Sequence, residues 1–128
     1  MVTDNDVDNC PVELAMQLIN KKWVIQILRD MFFGKTRFNE FKEGKPGLSN
    51  KVLSHALKDM EENELIKRYE LADSIEYRLT EIGQALNKVV YELAMFTLTS
   101  DLADKYFSPE KTEELKMLFK NNFLKEDS

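Results

Sequence analysis

The stretch from Thr36 to Glu62 constrains this chain more than any other, because two short helical patterns flank a Lys45-Pro46-Gly47 turn. Thr36 is placed to cap a first helix over Arg37 to Lys42 that buries Phe38 and Phe41. Ser49 caps a second helix from Asn50 to about Asn63, in which Leu53, Ala56, Leu57 and Met60 recur at helical spacing. Asn50, Lys51, Ser54, His55 and Lys58 then share the opposite face. The pattern reads as a helix-turn-helix, and that face suits a DNA groove. Asparagine can bond an adenine edge, serine and histidine reach bases or phosphates, and lysine neutralises phosphate or approaches guanine. The plainer reading of the same five residues is a solvated helix face. Charge segregation favours the first. Between Lys35 and Lys58 stand six cations (Lys35, Arg37, Lys42, Lys45, Lys51, Lys58) and two acids (Glu40, Glu43), a local net of +4 on a chain of net charge −5.

A chain of 128 residues, 43% hydrophobic and 32% charged, is expected to form one globular domain with a real core. No apolar run approaches the roughly 20 residues of a membrane span. The start carries Asp4, Asp6 and Asp8 in place of a signal peptide's basic and apolar regions, so a cytoplasmic protein is expected. One cysteine and one histidine exclude an internal disulfide and a His/Cys metal cluster. Phosphate loops, dinucleotide fingerprints and nucleophile elbows are absent from the sequence, and no titratable pair has catalytic spacing. Neither an enzyme nor a bound cofactor is expected.

Residues 1–9 read as a flexible acidic tail, residues 10–80 as the DNA-binding unit and residues 81–128 as C-terminal dimerisation helices. Cys10-Pro11 opens a helix with Val12, Ala15, Leu18 and Ile19 on its buried side, interrupted at Asn20-Lys21. A second helix from about Lys22 to Phe33 carries Trp23, Ile27, Leu28, Met31 and Phe32 as core, and Gly34 closes it in a left-handed conformation. Beyond the helix-turn-helix, Lys67–Leu71 and Ile75–Leu79 alternate apolar and polar residues around the Ala72-Asp73-Ser74 turn. They read as a β-hairpin, which makes the unit a winged helix. Thr80 caps a long helix from Glu81 toward Leu102, with Ile82, Leu86, Val89, Val90, Leu93 and Phe96 or Thr97 in helical register. Tyr91, Ala94, Met95 and Leu98 add apolar surface on other faces, so a partner chain is the expected cover. Ser108-Pro109-Glu110 starts a last helix with Leu115, Leu118, Phe119 and Phe123 as its stripe. The fold class is mainly α with a small β-hairpin.

Several of these segments together resemble one family. Cys10-Pro11-Val12, Lys22-Trp23, the run from Gly34 to Phe41, the run from Pro46 to Leu53 and Ile75–Thr80 are similar to the HxlR-type winged-helix regulators of bacteria and archaea. The likeness spans about residues 10 to 98, and its specificity lies in the order and spacing of the motifs. It implies a homodimeric, MarR-like transcription regulator, more often a repressor, that binds double-stranded DNA. The second helix of the helix-turn-helix would enter the major groove, with the wing at the adjacent backbone or minor groove. The first and long C-terminal helices would build the dimer. The implied DNA contacts are Asn50, Lys51, Ser54, His55 and Lys58 in the groove, Ser49 at its edge, and Lys35, Arg37 and Lys42 on phosphates.

The chain departs from the family pattern at four places. Asn20-Lys21 replaces a glycine pair, and Glu64 replaces a glycine before Leu65, so Asn63 is expected to take the left-handed cap. The wing tip is acidic and short, which opposes minor-groove reading. The Ser108–Leu124 helix is additional and is expected to enlarge the dimer interface. In some relatives a cysteine matching Cys10 senses oxidants or electrophiles, and a helix N-terminus favours its thiolate. The alternative is an inert thiol. Met16, Met31, Met60 and Met95 are candidates for lining a ligand pocket for a small-molecule signal, or are ordinary core residues. The rival to a DNA-binding regulator is a winged-helix module that binds proteins through its acidic surface and long helix.

Overall fold

The computed structural model describes residues 10–124, so the tail expected over residues 1–9 and the last four residues lie outside the described part. In chain order the elements are α1 (Pro11–Ile19), α2 (Lys22–Phe32), α3 (Phe38–Lys42), α4 (Asn50–Glu62), β1 (Ile66–Glu70), β2 (Ile75–Leu79), α5 (Glu81–Ala85), α6 (Asn87–Thr99), α7 (Leu102–Tyr106) and α8 (Pro109–Phe123). This is a mainly helical winged helix-turn-helix with one antiparallel hairpin.

The core forms where α2, α4 and the base of the hairpin meet. Ile27, Leu28, Phe41, Leu53, Met60 and Leu65 are wholly buried there. Each such aliphatic or aromatic side chain contributes roughly 1.5–3 kcal/mol by leaving water. Val24 joins them, at a spacing from Ile27, Leu28 and Met31 that fits the same helical face. Trp23 packs against this core and is half-buried, with the Lys22 ammonium 4.6 Å from its ring centre.

Asn20 and Lys21 interrupt the first two helices as the sequence indicates, and Gly34 ends α2 with φ of 101°. The left-handed cap after α4 falls on Glu64 (φ 61°), not on Asn63 (φ −87°). The Leu65 N–H donates to the Met60 carbonyl at 2.9 Å, closing a Schellman motif whose geometry requires the left-handed residue at the position of Glu64. Position in the motif overrides the greater tolerance of asparagine for that conformation.

The strands pair from Ile66 opposite Leu79 to Glu70 opposite Ile75. The first strand therefore begins one residue earlier than the alternation indicates: Ile66 is buried at the hairpin base, and Leu71 lies in the tip turn, where its N–H donates to the Ser74 carbonyl. Two backbone bonds fasten the hairpin to its surroundings, Tyr77 N–H to the Thr36 carbonyl at 2.8 Å and Thr80 N–H to the Leu65 carbonyl at 3.0 Å. Beyond Thr80 the chain passes so close to that carbonyl that a Cβ on Gly83 would lie 2.1 Å from it, leaving room for glycine alone.

The long C-terminal helix expected from Glu81 to Leu102 is divided. It breaks at Leu86, whose side chain turns into the core and whose N–H bonds Gly83 at i−3, and it ends at Thr99. At Ser100 the backbone is extended, and the Ser100 hydroxyl accepts the Leu102 N–H to start α7. Packing across elements outweighs the uninterrupted helical pattern.

The face of the C-terminal helices also differs from the expectation. Leu86, Val90 and Leu98 are buried, but Ile82, Val89, Leu93 and Phe96 stay exposed. Helix α8 folds back on α6 within the same chain, and Ser108 caps it by accepting the Lys111 N–H at 3.1 Å. Phe123 stands 4.8 Å from Phe32 and 5.3 Å from Phe119, centre to centre, and its carbonyl accepts from the Asn87 amide. Leu118 points outward, and the buried stripe takes Thr112 and Phe123 at its ends. On α1 the expected buried side is incomplete: Leu18 and Ile19 pack on the core, but Val12 is 69% exposed, with no element of the described residues over that end of the helix.

Candidate nucleic-acid interface

Helix α4 starts on the Ser49 hydroxyl, which accepts the Val52 N–H at 3.1 Å. From that cap, Leu53, Leu57 and Met60 turn inward, and Asn50, Lys51, Ser54, His55 and Lys58 are all exposed on the outer face. The structure thus brings together the five residues that the helical spacing groups. Exposed Ser49 stands at the same end, with its hydroxyl oxygen occupied by the cap.

Helix α3 begins one residue later than expected, at Phe38, and Thr36 does not cap it with its side chain. The Glu40 carboxylate reaches back instead, accepting the backbone N–H groups of Thr36 at 3.0 Å and Arg37 at 2.9 Å. The Thr36 N–H, followed by that of Arg37, holds the Glu40 carboxyl below the usual carboxylate range. This end of α3 leaves the Arg37 side chain exposed beside the hairpin tip, where Arg37, Glu40, Asp73 and Ser74 line an open groove.

The six cations of the basic stretch divide by environment. Lys45 is not part of the surface: it is 6% exposed and paired with buried Asp30 of α2, and its ammonium also donates to the Phe41 carbonyl at 2.7 Å. Its charge serves the fold, because a lysine buried with a carboxylate is compensated where it sits. Lys35 lies 3.6 Å from the Glu43 carboxylate and is partly offset. Among the described residues, Arg37, Lys42, Lys51 and Lys58 form no ion pair and remain available to phosphate. Lys42, the last residue of α3, donates from Nζ to the Asn50 amide oxygen.

Two supporting residues escaped the sequence reading. Asp30 is the carboxylate that Lys45 requires, and a lone acid beside Ile27, Leu28 and Met31 on an apolar helix was its signal. Lys21 joins the start of α2 to α4 through Asp59 at 2.9 Å, a contact with no local signature.

The wing's two arginines are paired within the hairpin. Arg68 bonds Glu70 at 2.7 Å, Arg78 bonds Glu76 at 3.1 Å, and the Arg78 guanidinium lies 4.6 Å from the Tyr69 ring centre. Cys10 is half-buried at the N-cap of α1, with its carbonyl accepting the Leu14 N–H at 2.9 Å. The four methionines do not converge on a pocket: Met31 and Met60 belong to the winged core, while Met16 is 46% exposed on α1. Among the described residues no group of three His, Cys, Asp or Glu is placed to hold a metal ion, and no helix is long and apolar enough to cross a membrane.

Comparison with known proteins gives the family of the chain. The HxlR-like helix-turn-helix family profile matches residues 18–107. The chain is 35% identical over 107 residues to the HTH-type transcriptional regulator YodB of Bacillus subtilis, covering 80% of this chain and 90% of that one. It is 30% identical over 116 residues to the uncharacterized HTH-type transcriptional regulator YdeP of the same organism, covering 88% and 91%. Among solved structures, the redox regulator HypR in its oxidized form superposes with a TM-score of 0.64 at 31% identity, over 71% of this chain and 97% of that one. The diamide-treated form of B. subtilis YodB gives 0.58 at 35% identity, over 78% and 97%. These relatives are regulators, which sets aside an enzyme and a winged-helix module without DNA binding. With its helix-turn-helix and exposed basic face in place, the chain belongs to the HxlR-like helix-turn-helix family and is a DNA-binding transcriptional regulator.

Proposed function

We propose that the protein is a cytoplasmic repressor that acts as a homodimer and lays α4 into the major groove. The observation that carries the DNA-binding geometry is the exposed face of Asn50, Lys51, Ser54, His55 and Lys58, flanked by Arg37 and Lys42 without carboxylate partners. Arg37 neutralises phosphate, Lys35 does so more weakly beside Glu43, and Lys42 stands beside Asn50 at the start of α4. The wing lies near the backbone without reading the minor groove, since its arginines are paired and Asp73 stands at its tip.

Dimerisation through the N- and C-terminal helices, the role assigned to residues 81–128 together with α1, is supported by uncovered apolar side chains on both. Val12 and Met16 on α1 and Val89, Leu93 and Phe96 on α6 are each at least 40% exposed. A two-fold dimer would set two recognition helices about 34 Å apart, one turn of DNA.

Cys10 is the proposed signal receiver. Its relatives include a protein described as a redox regulator and one solved after diamide treatment and with quinone bound. With a single cysteine in the chain, oxidation would proceed through an intersubunit or mixed disulfide, and a quinone through a thiol adduct.

Fluorescence anisotropy tests the reading. Purified protein is titrated against its own upstream DNA and a scrambled duplex at two salt concentrations, before and after mild oxidation. Sequence-selective, salt-dependent binding is expected, with a loss on oxidation that Cys10→Ser abolishes. Equal binding to both duplexes would sink the operator-specific repressor, and an oxidation response that survives Cys10→Ser would sink the sensor.

A further inference from the structure

We infer that Lys42 sets base specificity by orienting Asn50, so that the Lys42–Asn50 pair selects guanine and discriminates against adenine. The inference rests on the placement of α4 in the major groove.

Asn50 is the first residue of α4 and Lys42 the last of α3, and the Lys42 ammonium donates to the Asn50 amide oxygen. An ammonium has no acceptor, so this contact turns Oδ1 toward Lys42 and leaves Nδ2 with its two hydrogens as the free end of the amide. The ambiguity that normally attends an asparagine amide is removed by its neighbour.

The consequence follows from the edges of the bases. Adenine offers one acceptor, N7, and one donor, the N6 amino group, so an asparagine reads it only by supplying a donor and an acceptor side by side. Here the acceptor is engaged by a cation, and a cation repels an approaching N–H donor. Guanine offers two acceptors, N7 and O6. The Asn50 Nδ2 hydrogens and the remaining hydrogens of the Lys42 ammonium form the donor pair that matches them.

The pair is built into the turn. Leu48 N–H donates to the Lys45 carbonyl at 3.0 Å, Lys45 is anchored on Asp30 and on the Phe41 carbonyl next to Lys42, and Ser49 caps α4 next to Asn50. The residues on either side of the pair are therefore held before DNA arrives. Lys42 has no carboxylate partner among the described residues to draw it away.

The test is selection of randomised duplexes by the full-length protein, followed by titration of single-base variants of the selected site. The base read by Asn50 is the one whose identity ceases to matter in Asn50→Ala. In the native protein that base is expected to be guanine. In Lys42→Met, which keeps the side-chain stem, the freed amide is expected to turn the preference to adenine by about tenfold, with other positions unchanged. Each comparison is made within one variant, so a general loss of folded protein cancels. Adenine preference in the native protein overturns the inference. So does a Lys42→Met protein that loses affinity equally for all sequences with its salt slope reduced by about 1, the signature of a plain phosphate contact. Base preferences untouched by Asn50→Ala would overturn both this inference and the placement of α4 in the groove.

Discussion

Lys45 and Asp30, fifteen residues apart, form the one ion pair among the described residues in which both side chains are buried, at 4% and 6% exposure. Asp30 receives a second cation, with Arg29 Nε and Nη2 at 3.2 and 3.0 Å from its other carboxylate oxygen. The network seats the turn of the helix-turn-helix on α2 and so sets the direction in which α4 leaves the turn. Lys45→Met should destabilise the fold by about 3 kcal/mol, because it strands a buried carboxylate that Arg29 only partly compensates. The double variant Asp30→Leu/Lys45→Met should recover most of that loss, since two apolar side chains need no desolvated partner. Urea unfolding of the single and double variants measures both, and an additive double variant would show that the charges are not coupled.

Glu64 occupies a left-handed position that costs a non-glycine residue about 1–2 kcal/mol. Glu64→Gly should therefore raise stability by about 1 kcal/mol, after the entropy that glycine adds to the unfolded chain. The urea midpoint should rise with an unchanged slope.

The Glu40 cap implies a pH dependence. Its folded-state pKa is lowered by the backbone N–H groups of Thr36 and Arg37, so on acidification the unfolded chain takes up this proton before the folded one. The stability the charge supplies is complete above its ordinary value of 4.5 and disappears as pH falls through the lower folded value. Glu40→Gln should cost on the order of 0.5 kcal/mol at pH 7, small because the carboxylate is open to water. The gap between the two proteins should narrow below the ordinary value; thermal melts from pH 7 to 3 would reveal a gap that widens instead.

Lys51→Ala should weaken specific binding more than binding to scrambled DNA, because Lys51 stands on the groove face near the start of α4. Lys58→Ala, a turn and more farther along the helix, should reduce the salt slope by about 1 with little change in sequence preference. Anisotropy titrations across a salt series separate the two effects.

Leu93→Glu places a charge in the middle of the uncovered face of α6, between Val89 and Phe96. It should convert a dimer to a monomer in sedimentation equilibrium and lower affinity for a two-half-site operator far more than for one half-site. An unchanged mass would remove this face from the interface.

Much of the DNA-binding unit was legible in the residues themselves. Ser49 as a cap, the spacing of Leu53, Leu57 and Met60, and the grouping of Asn50, Lys51, Ser54, His55 and Lys58 all emerge from helix geometry over a few turns. The hairpin emerged from alternation, displaced by one residue because pairing at the base, Ile66 to Leu79, depends on what lies beneath it. Thr36 illustrates a limit at short range: a good capping residue stood one position too early, and Glu40 supplied the cap from inside the helix.

The sequence by itself determined the elements of the winged helix-turn-helix, their order and the basic face of α4, because caps, turns and periodicity act between neighbours a few residues apart. Tertiary structure decided which charges remain at that face and which way the C-terminal helices fold. Lys45 is a surface cation in any local reading and becomes a core residue only because Asp30 meets it from α2. Helix α6 is apolar on more than one side, and where it packs against α2, α7 and α8 its Val90 and Leu98 are buried while Val89, Leu93 and Phe96 stay open. Burial depends on what packs opposite a side chain, and for these residues the opposite surface comes from a different element, beyond the reach of any local pattern.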